Sequence, residues 1–193
     1  GDTVRRTMQA HGADVTKLSF VEADLSQDRG WLEAMDGCTY VHHIASPVPV
    51  AQPLNRESLV PLARDGALRV LNAAKSADIE RVVVTSSMAA MAFDGPRTAN
   101  KHISETSWSD PNWRGASAYI VSKTRAELAI WEWAEKEGWT ERVTTVNPAY
   151  VFGPLLDGKV TSSGKIIQLL MEGTYPILPP VHLMIVDIRD VAE

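Results

Sequence analysis

Apolar and polar positions along the chain fall into blocks of two kinds, short apolar runs and longer stretches with helical spacing. The run at residues 81–86 (RVVVTS) is mostly apolar and β-branched, which is typical of a strand covered on both faces of a sheet. The stretch 56–77 instead repeats apolar residues at helical spacing, among them Leu59, Leu62 and Val70. Blocks of the two kinds follow one another, which predicts strands that alternate with helices.

This alternation predicts a parallel sheet of the α/β class. Strands are predicted at residues 18–23, 39–44, 81–86 and 142–146, with a short one at 184–186, and helices at residues 2–11, 28–35, 56–77, 117–137 and 164–172. Strands separated by helices form βαβ units, in which a helix joins two parallel neighbours. We therefore predict a Rossmann-like, doubly wound parallel sheet, with residues 93–117 as a long surface loop.

Composition and charge narrow the class of protein. With 45% hydrophobic and 22% charged residues, the 193-residue chain has the composition of a folded globular domain. Its net charge of -5 predicts no general attraction to nucleic acid or to an anionic membrane. Its apolar runs are shorter than the ~18 residues that a membrane span needs. A single cysteine, Cys38, rules out an internal disulfide and favours a reducing, cytoplasmic location.

The segments that follow each predicted strand are the candidates for a functional site. Ligands of open parallel sheets bind outside the carboxyl ends of the strands. The segments in question are Asp24-Leu25, Ala45-Ser46-Pro47, Ser86-Ser87 and Asn147-Pro148. All four are polar or turn-forming, so the sequence predicts a small-molecule site at this edge of the sheet.

The strongest chemical signal is the pentapeptide from Tyr119 to Lys123 (YIVSK). Its i, i+4 spacing places the phenol and the amine on one helix face. An ammonium beside a phenol lowers the pKa of the phenol, so Tyr119 can exchange a proton near neutral pH. A hydroxyl at the end of the preceding strand, from Ser86 or Ser87, completes a set of groups that can polarise and protonate the oxygen of a carbonyl that is being reduced.

Each part of this signal also has a plain structural interpretation. The Tyr-x-x-x-Lys spacing is consistent with a half-buried tyrosine beside a solvated Lys123. Ser86 and Ser87 are consistent with backbone capping at a strand end. The pair His42-His43 is interpreted as strand-end histidines, because no third ligand lies at a spacing that a metal site uses, and we predict no metal.

Six short stretches carry a family resemblance. They are FVEADL from Phe20, HIASP from His43, RVVVTSS from Arg81, YIVSK from Tyr119, VNPAYVFGP from Val146 and VDIRDVA from Val186. In this order they resemble the extended short-chain dehydrogenase/reductase family, in its branch of dihydroflavonol-reductase-like and bacterial aldehyde-reductase-like enzymes within the NAD-dependent epimerase/dehydratase superfamily. The resemblance covers nearly the whole chain.

The resemblance implies catalytic roles for three residues. Ser87, the second serine of the Thr-Ser-Ser run, matches the family's catalytic hydroxyl. Tyr119 matches the general acid/base, and Lys123 matches the lysine that tunes the tyrosine and binds the nicotinamide ribose.

The resemblance also implies a set of cofactor-binding residues at the strand ends and along the nicotinamide. They are Asp24 and Leu25 beside the adenine, Ile44, Ala45 and Ser46 beside the ribose and phosphates, Thr85, Tyr119 and Lys123, Pro148, Ala149, Tyr150 and Val151 along the nicotinamide, and Ser163, of the run Thr161-Ser162-Ser163, at the pyrophosphate.

The chain departs from the family in one motif. No Gly-rich phosphate-binding turn is present, because Gly1, Gly12 and Gly30 lack the required spacing. The alignment implies that this turn, the first two strands and the residue that separates NADPH from NADH are absent. We therefore expect the 193 residues to be a partial dinucleotide-binding domain of a longer protein, lacking most of the substrate-binding region and inactive alone.

The resemblance predicts an oxidoreductase that reduces an aldehyde or ketone to an alcohol, with NADP as cofactor and a small carbonyl compound as substrate. The family's cinnamoyl-CoA branch carries Asn-Trp-Tyr-Cys around the catalytic tyrosine. This chain has Ser117-Ala118-Tyr119-Ile120, which argues against that branch. Two alternatives stay open: a nucleotide-sugar epimerase or dehydratase with tightly bound NAD, and a cofactor-binding protein without catalysis.

Overall fold

The computed structural model describes residues 1–49, 52–96, 102–160, 162–174 and 183–193. These residues form two units, which are treated separately. The central unit is Val21–Pro148, and the terminal unit combines Gly1–Phe20 with Ala149–Glu193.

Helices and strands alternate through most of the described chain. In chain order they are α1 (Asp2–Ala10), α2 (Trp31–Met35), β1 (Tyr40–His43), a π-helical turn (Pro61–Asp65), α3 (Gly66–Ser76), β2 (Arg81–Thr85), a 3₁₀ turn (Met88–Ala90), α4 (Ala118–Glu137), β3 (Val143–Val146), β4 (Tyr150–Phe152), α5 (Ser162–Met171), β5 (Ile185–Asp187) and α6 (Ile188–Ala192).

The central unit is built on a parallel sheet in the order β1-β2-β3. The middle strand β2 is the β-branched run that the sequence singles out, and Val82 and Val84 on it are buried. Val82 pairs with Val41 on one side and with Val143 on the other. All three carboxyl ends therefore point to the same edge of this sheet, as the predicted α/β class requires.

Helices α3 and α4 supply the apolar side chains of the core of the central unit. Leu71 of α3 and Ile130 of α4 are almost completely buried in the cluster that contains the strand valines. The indole N–H of Trp133 donates a hydrogen bond of 2.9 Å to the side-chain oxygen of Asn72, which ties α4 to α3. Trp133 also meets Trp139 edge to face, with ring centroids 5.6 Å apart.

Most predicted elements are confirmed with small shifts at their ends. The helix predicted over 56–77 begins at Pro61 with a π-helical turn and becomes regular from Gly66 to Ser76. The helix predicted over 28–35 is shorter, because Gly30 takes a left-handed conformation and α2 starts only after it.

The strand predicted at residues 18–23 is wrong, since this segment is irregular. A strand forms only where a neighbouring strand supplies hydrogen-bond partners, and no strand pairs with this segment within the described residues. Instead, the guanidinium of Arg5 donates to the carbonyl oxygens of Val15 (2.9 Å) and Leu18 (2.6 Å). Phe20 and Val21 are each 48% exposed, so the apolar run is only partly buried.

The terminal unit holds a separate pair of parallel strands, β4 and β5. Strand β4 was not predicted, because three residues are too few to show a period. Strand β5 falls one residue beyond the predicted segment 184–186. Among the described residues, no helix of either unit is long and apolar enough to cross a membrane.

We predict that replacing Gly30 by alanine destabilises the protein more than replacing Gly37. Both glycines flank α2 and have positive φ, +91° and +70°, so alanine is strained at either position. At Gly30 the added Cβ would also lie 2.2 Å from the backbone oxygen of Glu22, whereas nothing lies within 4 Å at Gly37. We expect Gly37→Ala to lower the free energy of unfolding by about 1 kcal/mol and Gly30→Ala by clearly more. Urea unfolding of both variants measures the difference, and equal losses would contradict the clash.

Candidate active site

The start of α4 fixes the position of Tyr119 and Lys123. Ser117 is the N-cap of this helix, and its hydroxyl accepts a hydrogen bond of 3.3 Å from the backbone N–H of Ile120. The backbone N–H of Tyr119 donates to the side-chain oxygen of Gln52 at 3.2 Å. Tyr119 therefore occupies the first turn and Lys123 the next, with the Lys123 Nζ 5.9 Å from the centre of the Tyr119 ring.

Lys123 is buried against the end of strand β2. Its side chain is only 6% exposed. The ammonium donates long hydrogen bonds, each 3.4 Å, to the backbone oxygens of Thr85 and Ser86. The interpretation of Lys123 as a solvated surface lysine is therefore wrong, because the amine lies inside the unit beside the residue that precedes Ser87.

Burial changes the protonation of this amine. Desolvation lowers the pKa of Lys123 to about 8, and the negative charge of Glu127 acts in the opposite direction. At neutral pH the amine is still mostly protonated, and it loses its charge just above the physiological range. A cation with this property can stabilise negative charge on a nearby oxygen.

Ser87 follows β2 and begins the 3₁₀ turn. Its backbone is extended, and its hydroxyl accepts a hydrogen bond of 3.1 Å from the backbone N–H of Ala89, so the expected capping role is present. The hydroxyl of Thr124, next to Lys123 on α4, lies 3.5 Å from the backbone oxygen of Ala89. The structure thus brings the first turns of α4 to the turn that carries Ser87.

Two predicted cofactor-binding residues of the central unit adjoin this turn. Thr85 ends β2 and offers its backbone oxygen to Lys123. Pro148, at the end of the unit, accepts a hydrogen bond of 3.0 Å from the backbone N–H of Met88. Ends of the adjacent strands β2 and β3 therefore meet beside Ser87.

The remaining predicted cofactor-binding residues of the central unit follow either strand β1 or the irregular segment at residues 18–23. Ile44, Ala45 and Ser46 come directly after β1, and Ile44 is 68% exposed. Asp24 is exposed, and hydrogen bonds from the hydroxyl and backbone N–H of Ser26 lower the pKa of its carboxyl. The side chain of Leu25 instead packs against the core.

Four predicted residues lie in the terminal unit. Tyr150 and Val151 form β4, where they pair with Ile185 and Val186, and Ala149 precedes them. Ser163 lies in α5 and, with Val151, lines a largely apolar cavity of about 780 Å³. Thr161, named with Ser163 as a possible pyrophosphate contact, lies outside the described residues.

Sequence reasoning missed the buried carboxyl of Glu127. Its two oxygens accept hydrogen bonds from the hydroxyls of Ser86 and Thr145 and from the side-chain amide of Asn147. The same amide also donates to the backbone oxygen of Ser87 at 3.2 Å. One signal was available, because Glu127 follows Lys123 by four residues and so shares its helix face.

Sequence reasoning also gave His43 no role beyond a strand end. The side chain is buried at 7% exposure, whereas His42, beside it on the same strand, is exposed. Desolvation, aided by the nearby charge of Lys123, lowers the pKa of His43 to about 4. The imidazole is therefore neutral at physiological pH and adds no charge beside the lysine.

Comparison with known proteins identifies the family. A family model described as the NAD dependent epimerase/dehydratase family matches residues 3–175. The chain belongs to this family. The resemblance to extended short-chain dehydrogenases/reductases of the dihydroflavonol-reductase-like branch is confirmed.

Curated relatives within the family include several reductases. Cinnamoyl-CoA reductase CAD2 of Medicago truncatula is 38% identical over 183 residues, which cover 92% of this chain and 55% of the relative. Tetraketide alpha-pyrone reductase 2 of Arabidopsis thaliana is 35% identical over 180 residues, which cover 91% of this chain and 56% of the relative. The chain thus spans about half the length of the curated relatives it matches.

Solved structures of the same kind confirm the Rossmann-like fold. Vestitone reductase from alfalfa (Medicago sativa) superposes with a TM-score of 0.70 at 26% identity, covering 96% of this chain and 58% of the other. Yeast methylglyoxal/isovaleraldehyde reductase Gre2, complexed with NADPH, gives a TM-score of 0.66 at 29% identity, covering 88% and 56%.

The family comparison bears on the tetrapeptide at 117–120. Similarity extends to cinnamoyl-CoA reductases although this chain lacks their Asn-Trp-Tyr-Cys sequence. In this structure Ser117 caps α4, and asparagine is an equally good N-cap. Serine and asparagine at the first position of the tetrapeptide are therefore both compatible with the start of this helix.

We predict that His43 makes stability depend on pH in the acid range. The unfolded chain binds a proton at this imidazole below pH ~6.5, whereas the native state resists protonation until the pKa of about 4. Above pH ~6.5 the imidazole is neutral in both states, so His43 does not affect the free energy of unfolding there. As the pH falls toward 4 the proton binds to the unfolded state only, and the free energy of unfolding decreases by a few kcal/mol.

Unfolding free energies measured from pH 4 to 7 test this dependence. His43→Gln should flatten the curve, whereas His42→Gln, at the exposed neighbour, should leave its slope unchanged. Equal slopes for the wild type and His43→Gln would show that the buried imidazole is not the cause.

Proposed function

We propose that the longer protein to which this chain belongs reduces an aldehyde or ketone to an alcohol with NADPH, through Ser87, Tyr119 and Lys123. The observation that carries the proposal is the buried Lys123 ammonium, which lies between the Tyr119 ring and the backbone oxygen that precedes Ser87. Membership of the family and the reductases among its relatives support the reaction class. Because the chain spans about half the length of those relatives, the activity of the whole protein is proposed from these similarities.

Each of the three residues has a distinct role in the proposed reaction. The Ser87 hydroxyl donates a hydrogen bond to the carbonyl oxygen of the substrate and polarises it. Tyr119 transfers its phenolic proton to that oxygen as negative charge develops there. Lys123 favours the phenolate that remains, because its ammonium is desolvated and therefore interacts strongly with nearby charge.

The residues present fit the nicotinamide half of the cofactor. An ammonium has three N–H donors, more than its two carbonyl contacts use, and so can also bind a ribose hydroxyl. NADPH, when bound, supplies the hydride that reduces the carbonyl carbon. The residue that separates NADPH from NADH is not identified in this chain. We propose NADPH because the structure of the yeast relative is a complex with NADPH.

The pyrophosphate half of the cofactor needs groups beyond those identified. The sequence lacks the Gly-rich turn that commonly holds a pyrophosphate at a helix N-terminus. We propose, accordingly, that these residues form a partial dinucleotide-binding domain, with Asp24, Ile44 to Ser46 and Pro148 along the cofactor. The coverage of about half of each relative is consistent with this division.

We predict that Tyr119→Phe abolishes most carbonyl reduction and leaves cofactor binding intact. The substitution removes only the phenolic proton, so turnover should fall by about 10²- to 10⁴-fold. In the full-length protein, NADPH consumption with a panel of aldehydes and ketones measures turnover, and quenching of tryptophan fluorescence on addition of NADPH measures binding.

The control is Tyr40→Phe, at a tyrosine on β1 that is 60% exposed. The Tyr40→Phe variant should consume NADPH at the wild-type rate. Normal turnover by Tyr119→Phe would refute the assigned role. Tightly held NAD without net NADPH consumption would indicate an epimerase or dehydratase instead, and binding without turnover of any substrate would indicate a non-catalytic protein.

A further inference from the structure

Glu127 holds together the ends of two strands from its place on α4. Its carboxyl accepts a hydrogen bond from the Ser86 hydroxyl at the end of β2. It accepts a second from the Thr145 hydroxyl on β3, at 3.1 Å, and a third from the Asn147 amide, at 2.6 Å. The side chain is only 6% exposed, so these bonds replace the water that a carboxylate normally binds.

The three donors occupy both oxygens of this carboxyl. All of them are hydroxyl or amide groups that donate to its oxygens. Buried polar groups are stable in a fold when they are hydrogen-bonded in this way. The network thus fixes the carboxyl group inside the central unit, one helical turn beyond Lys123.

The groups around Lys123 leave Glu127 as its compensating charge. Among the described residues that act on this amine, Thr85 and Ser86 from β2 offer neutral carbonyl oxygens. His43 from β1 is neutral at physiological pH, and Tyr119 presents its ring. The charge of Glu127 favours the protonated form of the Lys123 amine, whereas desolvation favours the neutral form.

We propose that Glu127 is a positioning residue for the reductase site, which holds the turn at Ser86-Ser87 through hydrogen bonds and holds the Lys123 amine in its charged form. This inference rests on the proposed function, because it assigns Glu127 a task in that same site. The two tasks come from one carboxylate, and they are separable by experiment. The charge acts on Lys123, while the hydrogen bonds through Asn147 reach the backbone oxygen of Ser87.

Titration of Lys123 by NMR tests the electrostatic task without any need for turnover. The side-chain carbon signal beside the amine is assigned by its loss in Lys123→Arg. In the wild type its midpoint is expected at about pH 8. Glu127→Gln, which keeps the shape and removes the charge, should lower that midpoint by about one pH unit.

The matched control is Glu132→Gln, at an exposed glutamate on the same helix. It should leave the Lys123 midpoint where it is in the wild type. An unchanged midpoint in Glu127→Gln, or an equal shift in both variants, overturns the proposal.

A second variant covers the case in which Glu127→Gln does not fold. Glu127→Asp keeps the negative charge on a shorter side chain, so the Lys123 midpoint in this variant should stay close to that of the wild type. A Lys123 midpoint that falls by a full pH unit in Glu127→Asp overturns the proposal by itself.

The pH profile of turnover tests the consequence for the site. In Glu127→Gln the basic limb of kcat should move to lower pH by the same interval as the Lys123 midpoint, with KM little changed. If the NMR midpoints shift but the full-length wild-type protein reduces no carbonyl compound, the proposed function fails while the charge pairing stands. If turnover is normal and the midpoints do not shift, the reductase stands and the role of Glu127 fails.

Discussion

One ammonium group is buried at the carboxyl end of a parallel sheet, and the other residues of the site are arranged around it. Removing Lys123 from water disfavours its charge, and the fold compensates with two backbone carbonyls and one buried carboxylate. The balance leaves the amine protonated at neutral pH but with a pKa of only about 8. A buried charge of this kind is costly to stability, and such groups concentrate at functional sites.

One face of α4 carries out this compensation. Lys123, Thr124 and Glu127 lie within five residues of one another, and each contacts the segment that follows a strand. Through them the helix is hydrogen-bonded to the end of β2, to the 3₁₀ turn and to the segment after β3. The position of the Ser87 backbone is therefore tied to the same helix that carries Tyr119, which gives the proposed reaction a fixed geometry.

Local sequence predicts the parts of this structure that depend on local pattern. The β-branched run at 81–86 and the 20-residue helix α4 were both visible, as was the shared face of Tyr119 and Lys123. The strand at 18–23 was wrong because strand formation depends on a partner that periodicity does not reveal. The Glu127 network could not be predicted from the sequence, because its partners lie 18, 20 and 41 residues away and only the fold brings them together. The burial of Lys123 could not be predicted for the same reason.

In the proposed reaction, hydride passes from NADPH to a carbonyl carbon while Tyr119 protonates the oxygen. Its most direct test is mass spectrometry of the products that the full-length protein forms from NADPH with deuterium in place of both hydrogens at C4 of the nicotinamide. We expect an alcohol with one deuterium on the carbinol carbon for each NADPH oxidised. An alcohol that carries no label, or a substrate rearranged while the NADPH stays unoxidised, would contradict the proposed reaction.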